Sequence, residues 1–417
     1  MKMLLKIAYH NILRHKGRTF RSALTIGVAL MFFIAMDSIM TGMDRSAIDN
    51  IIELSTAAIS LHTKEYMKDR EAFPLKFGIK TLDNIISTIS KDPKVTATTP
   101  RTLFLGQLSN YTDVIPVQGI VVEPSTDTLV FSLNKYLEGF WFSKESNREI
   151  ILGKNLAKEL GVSVGNSITL YALTKYDSRN ADEFKVVGIL NTTDPNLNKN
   201  AALISFESAD DFLDLEGLKT QINIAVTRNS DLNIYLKLVN AIKSNITKDY
   251  DDIHAETFYD QSATFLQVSK QKKSFGFIFM GVILLIASIG IFNTVLMSVY
   301  ERIREIGVLR AHGMTPKEIT GLFLLEGLIT GIVGSIVGVI LGISINCYTI
   351  YVGLPLEKIA GDVDTSGIPI WGTMYGQWNP ESILFAFLFG IIVATLASLI
   401  PSGKAGKMQV SQALRFV

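Results

Sequence analysis

The chain is short of the groups that usually carry catalysis. Among 417 residues there is one cysteine, Cys347, and there are five histidines. A single thiol closes no intramolecular disulfide and builds no thiolate zinc site, so cysteine usage says nothing about compartment. His10, His15, His62, His254 and His312 are scattered and form no H-E-x-x-H, so a metal site could arise only through folding. Neither G-x-S-x-G nor a Cys/His pair placed for nucleophilic attack occurs. The chain also has no G-x-x-x-x-G-K-[ST]. Its nearest stretch, SGKAGK at 402–407, has the wrong spacing, so nucleotide hydrolysis would fall to another subunit. A net charge of +1 gives no case for general nucleic-acid binding.

What is present is apolar. With 48% apolar and 19% charged residues, the chain is too apolar for an average soluble protein and too charged for a wholly embedded one. A membrane protein with a sizeable aqueous domain reconciles the two. Residues 1–21 carry six Lys or Arg, with Leu4, Ile7, Ala8, Ile12 and Leu13 at roughly helical spacing. This reads as an amphipathic helix in the inner interface. Residues 22–43 suffice for a first span, and the basic block before them puts the N-terminus in the cytoplasm. The apolar run is too long for a signal-peptide core, so the segment is expected to be retained. Residues 44–273 contain no spanning stretch and should form an outer domain. A second span covers 274–299. Lys270, Lys272 and Lys273 beside it run against the charge rule, which large translocated domains largely escape. A connection at 300–318, a third span at 319–347, an outer loop at 348–380, a fourth span at 381–400 and a cytoplasmic tail at 401–417 complete the plan.

The outer region alternates strand and helix signals. AAISLHT, TLFLGQL, DVIPVQGIVV, EFKVVGIL, AALISF, QINIAVT and DIHAETF read as strands, with helices over 81–90 and 231–246. REIILGKNLAKELGVSVGNSITLYAL reads as strand, short helix closed by Gly161, turn and strand. SADDFL reads as a helix capped by Ser208.

The most specific stretch joins the second and third spans. Glu301, Arg302, Arg304 and Glu305 precede apolar Ile306, Val308 and Leu309. Gly313 then breaks the pattern, and Thr315-Pro316 opens a new helix. The connection should be a short helix on the membrane surface. Within the third span, Gly327, Gly331, Gly334, Gly338 and Gly342 offer close helix packing. Asp37, in the outer third of the first span, is either functional or reaches headgroups or a helix partner. Glu326 is read as a polar contact near the cytoplasmic interface.

The spelling N-T-x-L-M-S-V, then E-R-x-R-E-I-G-V-L-R-A-x-G-M, then L-E-G, resembles the FtsX/MacB/LolC-LolE family of ABC-transporter permeases. There the connection is a coupling helix that docks on an ATPase subunit. Glu301, Arg304, Glu305, Gly307, Arg310 and Gly313 match, while His312 stands where a small or aliphatic residue is usual. I-I-L-G-x-x-L-A-x-x-L-G-V-x-x-G-x-x-I-T-L and F-K-V-V-G-I-L resemble the family's periplasmic domains. The segment after the first span is more similar to the LolE-type branch. Pro401, Ala405, Ala413, Leu414 and Arg415 match the closing motif, with Val410 in place of a proline.

The resemblance implies four transmembrane α-helices with a large mixed α/β periplasmic domain inserted between helices 1 and 2, in a bacterial inner membrane. It implies coupling through Glu301, Arg302, Arg304, Glu305, Ile306, Gly307, Leu309, Arg310 and Gly313. ATP and Mg would bind in a LolD- or MacB-like partner ATPase, with no cofactor in this chain. A second permease chain would complete a homodimer or heterodimer. The function implied is release of lipoproteins to a periplasmic carrier. ERIREIGVLRA is closer to MacB spelling, which leaves efflux of peptides or amphiphiles as an alternative. FtsX-like signalling to a cell-wall hydrolase is another, although FtsX outer domains tend to be smaller.

Overall fold

The computed structural model describes residues 2–14, 16–80, 82–143, 148–229, 231–355 and 373–408. They fall into a helical unit, made from both ends of the chain with residues 268–356, and an α/β unit within 45–267. Helix α1 is Lys2–Arg14 and α2 is Lys16–Asn50, continued by a π-helical turn at Ile51–Thr56. The helix outruns the 22–43 span because Ala47, Ile48 and Ile52 keep an apolar stripe that is buried.

The α/β unit contains β1 (Ile59–Thr63), α3 (Leu82–Ile89), β2 (Val95–Ser109), β3 (Val114–Val122), α4 (Pro124–Val130), β4 (Leu137–Gly139) and β5 (Glu149–Gly153). There follow α5 (Lys154–Glu159), β6 (Ser167–Leu173), β7 (Arg179–Leu190), α6 (Pro195–Asn200), β8 (Ala201–Ser205), α7 (Phe206–Leu213), β9 (Gln221–Val226), α8 (Leu232–Asp249), β10 (Ile253–Thr257) and α9 (Phe258–Gln261). The strands run β10-β1-β9-β2-β3-β8-β5-β7-β4, and β6 bonds to both β2 and β7. That double pairing closes β2, β3, β8, β5, β7 and β6 into a ring.

Alternate residues of the ring point inward. Phe104, Leu108, Val121, Ile150, Leu170 and Phe184 meet there, with Leu156 of α5 and Phe212 of α7. Phe104 lies over its cross-strand partner Gly119, where a side chain would collide with the ring. Beyond the ring, β10, β1, β9 and the first half of β2 carry a second core. Ile85 and Ile89 of α3 cover it with Tyr235, Val239, Ile242 and Ile246 of α8. Helix α7 begins one turn earlier than SADDFL suggests. Ser205, in extended conformation, is its cap and accepts from the Ser208 amide at 3.3 Å, so Ser208 is a helical residue and not the cap.

The helical unit is completed by α10 (Ala263–Glu301), α11 (Ile303–Ala311), α12 (Pro316–Tyr351) and α13 (Pro380–Lys407). Four described helices are long and apolar enough to cross a membrane, starting at Thr19, Ser274, Pro316 and Pro380. Helix α13 runs straight through Pro401, so the first turns of the expected tail are helical. Pro401, Ser402, Ala405 and Gly406 are buried, and Gly406 lies against Thr320 and the Pro316 carbonyl. That packing outweighs the amide lost at proline. Val410, Ala413, Leu414 and Arg415 lie outside the described residues.

The glycines of α12 sort by neighbour. A Cβ at Gly327 or Gly331 would meet Ser398 or Ala394 of α13 at 2.6–2.7 Å. At Gly334, Gly338 and Gly342 it would meet Ile26, Leu30 and Ile34 of α2 at 2.8–2.9 Å.

Candidate functional site

At one end of the helical unit, α10 stops at Glu301 and Arg302 leaves helical geometry (φ −111°, ψ 19°) before α11 begins. Helix α11 ends on the Arg310 carbonyl, which accepts from Gly313, a residue at φ +96° that favours glycine. Thr315 and Glu318 then form a capping box that starts α12. Ile303 and Ile306 turn inward. Ile306 packs with Val299, Ile319, Phe323 and Ala405, and Leu309 lies against the same cluster. Gly307 is buried; Arg304 and Val308, four residues apart in α11, are exposed on one face of it, and Glu301 at the end of α10 is exposed as well.

Arg302 is the buried hub. Its Nε donates to Glu305 Oε2 at 2.7 Å, its Nη1 donates to Glu326 Oε1 at 2.8 Å, and its guanidinium lies 5.2 Å from the Phe323 ring centroid. The same Glu326 oxygen accepts from Asn11 Nδ2 of α1 at 2.8 Å. A cation this buried is tolerated only when paired, and here two carboxylates and an aromatic face surround it. Arg310 Nη1 donates to the carbonyls of Gly406 at 3.1 Å and Met408 at 2.7 Å, tying α11 to the end of α13. His312 is held locally, its Nδ1 bonded to the Val308 carbonyl at 2.8 Å. Sequence reading ranked Arg302 below Arg304 and gave no hint of Asn11. Only the placement of α1 beside α12 could have found it.

At the other end, Asp37 accepts from Asn379 at 3.0 Å, and Asn379 also caps α13 through the Ser382 amide. Ser38 donates to Asn346, and its carbonyl accepts from the Gln377 amide. Asp37 thus has a helix partner. A cleft of about 470 Å³ opens here between Phe33, Met36 and Met40 of α2, Gly276 of α10, and Glu381 and Phe385 of α13, with Asp37 and Asn379 in its wall. Met36 also borders a groove of about 460 Å³ lined by Phe32, Phe275, Phe279 and Val282, almost wholly apolar. An apolar trough beside a small polar wall suits an amphiphile.

A family model for the MacB-like periplasmic core domain matches residues 19–245, and one for the FtsX-like permease C-terminal region matches 277–410. The ABC transporter permease YtrF of Bacillus subtilis is 26% identical over 97% of both chains. The lipoprotein-releasing system transmembrane protein LolE of Haemophilus influenzae is 23% identical, covering 94% of this chain and 93% of its own. Among solved structures, the periplasmic region of MacB from Actinobacillus actinomycetemcomitans covers 53% of this chain and 97% of that one, at 13% identity and a TM-score of 0.34. The matched segments leave out little beyond the first helix, the stretch between them and the last residues, and this chain belongs to the FtsX/MacB family of ABC-transporter permeases.

Proposed function

We propose that the chain couples ATP-driven motion in a separate ABC ATPase, which would bind ATP and Mg, to release of lipoproteins from the inner membrane. Two permease chains, identical or related, would pair with two ATPase chains, and a periplasmic carrier would receive the cargo. The observation that carries this reading is the seat of α11. It is fastened to α12 through Arg302 and Glu326 and to the α13 end through Arg310, while Glu301, Arg304 and Val308 face outward. A partner that pushes on that outer face moves the two helices together, a two-state element biased by nucleotide. The trough beside Asp37 and Asn379 supports an acylated cargo, because acyl chains need the apolar walls and a polar head needs the carboxylate and amide.

Efflux of peptides or small amphiphiles is the second reading, because the almost wholly apolar groove would accept those as well. Purification from native membranes with bound partners, followed by mass spectrometry, separates the two. An ATPase with triacylated lipoproteins supports release, whereas an ATPase with an adaptor or a wall hydrolase and no lipoproteins overturns the cargo assignment. Arg304→Glu should abolish transport while the folded complex still hydrolyses ATP; unchanged transport would sink the coupling assignment.

A further inference from the structure

The first 36 residues contain no Asp or Glu, and six Lys or Arg fall before residue 22. Helix α1 divides this stretch into three faces. Ala8 is fully buried and Asn11 and Ile12 are half-buried toward the protein. Leu5, Tyr9 and Leu13, spaced by four residues, are 51%, 53% and 44% exposed. Lys6, His10 and Arg14, each the next residue along, are exposed beside them, and Lys16 and Arg21 follow. At about 100° per residue, the apolar stripe borders the basic one, and no described residue covers either. Adjacent apolar and basic stripes fit the boundary between acyl chains and headgroups, and the basic stripe is complementary to anionic phosphates.

The protein-facing side of α1 ends on the coupling machinery. Asn11 donates to the same Glu326 oxygen that receives Arg302. The joint is not tightly filled: a cavity of about 40 Å³ lies there, lined by polar Asn11, Ser22, Arg302 and Glu326 and by apolar Ile12 and Ile291. The buried Ser22 hydroxyl has no hydrogen-bond partner among the described residues. That volume holds about one or two waters, so the joint can open without prising apart a packed core.

We propose that α1 is an anionic-lipid sensor: inner-leaflet phosphates bound along Lys6, Arg14 and Lys16 hold Asn11 on Glu326 and so seat Arg302 and the coupling helix. The consequence for transport rests on the coupling role assigned to α11; the lipid-dependent seat does not. With anionic lipid present, α1 lies flat and the shared carboxylate is fully used. Without it, α1 loses its basic contacts and Asn11 leaves Glu326, so the Arg302–Glu326 tie of α11 to α12 loses its support while the Arg310 tie to the α13 end remains.

The test uses the full chain with Cys347→Ser and a spin label at Val308→Cys on α11, in phosphatidylcholine vesicles with or without phosphatidylglycerol. Phosphatidylglycerol should immobilise the label, raising the seated-to-loose ratio roughly tenfold, as expected for one hydrogen bond to a charged group. High salt should cancel the effect. Asn11→Leu should lose the response while a label at Leu13→Cys still reports α1 on the anionic membrane. Lys6→Gln with Arg14→Gln should lose both. An undiminished response in Asn11→Leu overturns the proposal. So does a label in the parent chain that ignores phosphatidylglycerol; if Leu13→Cys is then shielded in both lipids, a protein partner covers α1. No ATPase is involved, so failure here leaves the Arg304→Glu test intact, and failure there leaves this one intact.

Discussion

Arg302 and Arg304 stand two residues apart, yet burial gives them different work. Arg304 faces outward, while the Arg302 side chain is 7% exposed between Glu305 and Glu326. Arg302→Met strands Glu326 in a site built for a cation and should cost about 3 kcal/mol of stability. The double variant Arg302→Met/Glu326→Leu should recover most of that, because removing both charges also removes the desolvation penalty. Thermal unfolding in detergent reads the difference, and a double variant no better than the single would argue against a pair. In the α/β unit, His62 stacks 4.7 Å from Tyr66 and donates Nδ1 to the Thr220 carbonyl at 3.3 Å. Burial, then the Arg70 charge, pulls its pKa from 6.5 to about 3. The unfolded chain therefore takes up a proton that the native state refuses. Stability attributable to this residue is complete above pH 6.5 and is lost as pH falls toward 3, by about 1.4 kcal/mol per unit. His62→Phe should flatten that acid slope, whatever it does to stability at neutral pH. Urea unfolding at pH 7 and pH 5 checks it, and equal slopes in both proteins would refute the assignment.

Among the elements, the glycines of α12 make the sharpest demand. A Cβ at Gly338 would lie 2.8 Å from Leu30 Cβ and 2.9 Å from the Gly27 carbonyl, and neither can swing away. Gly338→Ala should cost about 1–3 kcal/mol by prising α2 from α12. Gly321, in the same helix, has nothing within 4 Å of such an atom, and Gly321→Ala should be neutral or stabilising by up to about 1 kcal/mol. A matched pair of melting curves distinguishes packing from propensity. The three- and four-residue recurrence of glycine was legible in the sequence, but the partners were not. The spacings are four, three, four and four, so the glycines stay within about 80° of one another on one stripe, which meets α13 near its start and α2 further along. Local signals served the strands well, since alternation is local. They failed where distant contacts decide: at Pro401, kept helical by packing on α12, and at β6, whose bonds to both β2 and β7 close a ring no window of sequence reveals.

At the scale of the whole molecule, family membership was readable because the coupling segment spells it contiguously, whereas the cargo was not. The cleft draws Met36 and Asp37 from α2, Gly276 from α10, and Asn379 and Phe385 from α13, positions with no common spacing along the chain. Met36 borders both the cleft and the adjoining apolar groove, so a larger side chain there obstructs both without touching α11. Met36→Trp should leave the partner's basal ATP hydrolysis intact and reduce cargo release roughly tenfold, since overfilling a site costs about 1–3 kcal/mol. Basal hydrolysis reports the coupling end and release reports the trough, so measuring both in one reconstituted preparation locates the defect. A variant with normal release would mean that the trough is only a lipid-filled gap, and the acylated cargo would then need another binding surface. A variant that loses both activities would place Met36 in the structural framework shared by α2 and α10, and would remove the trough as support for an amphiphile.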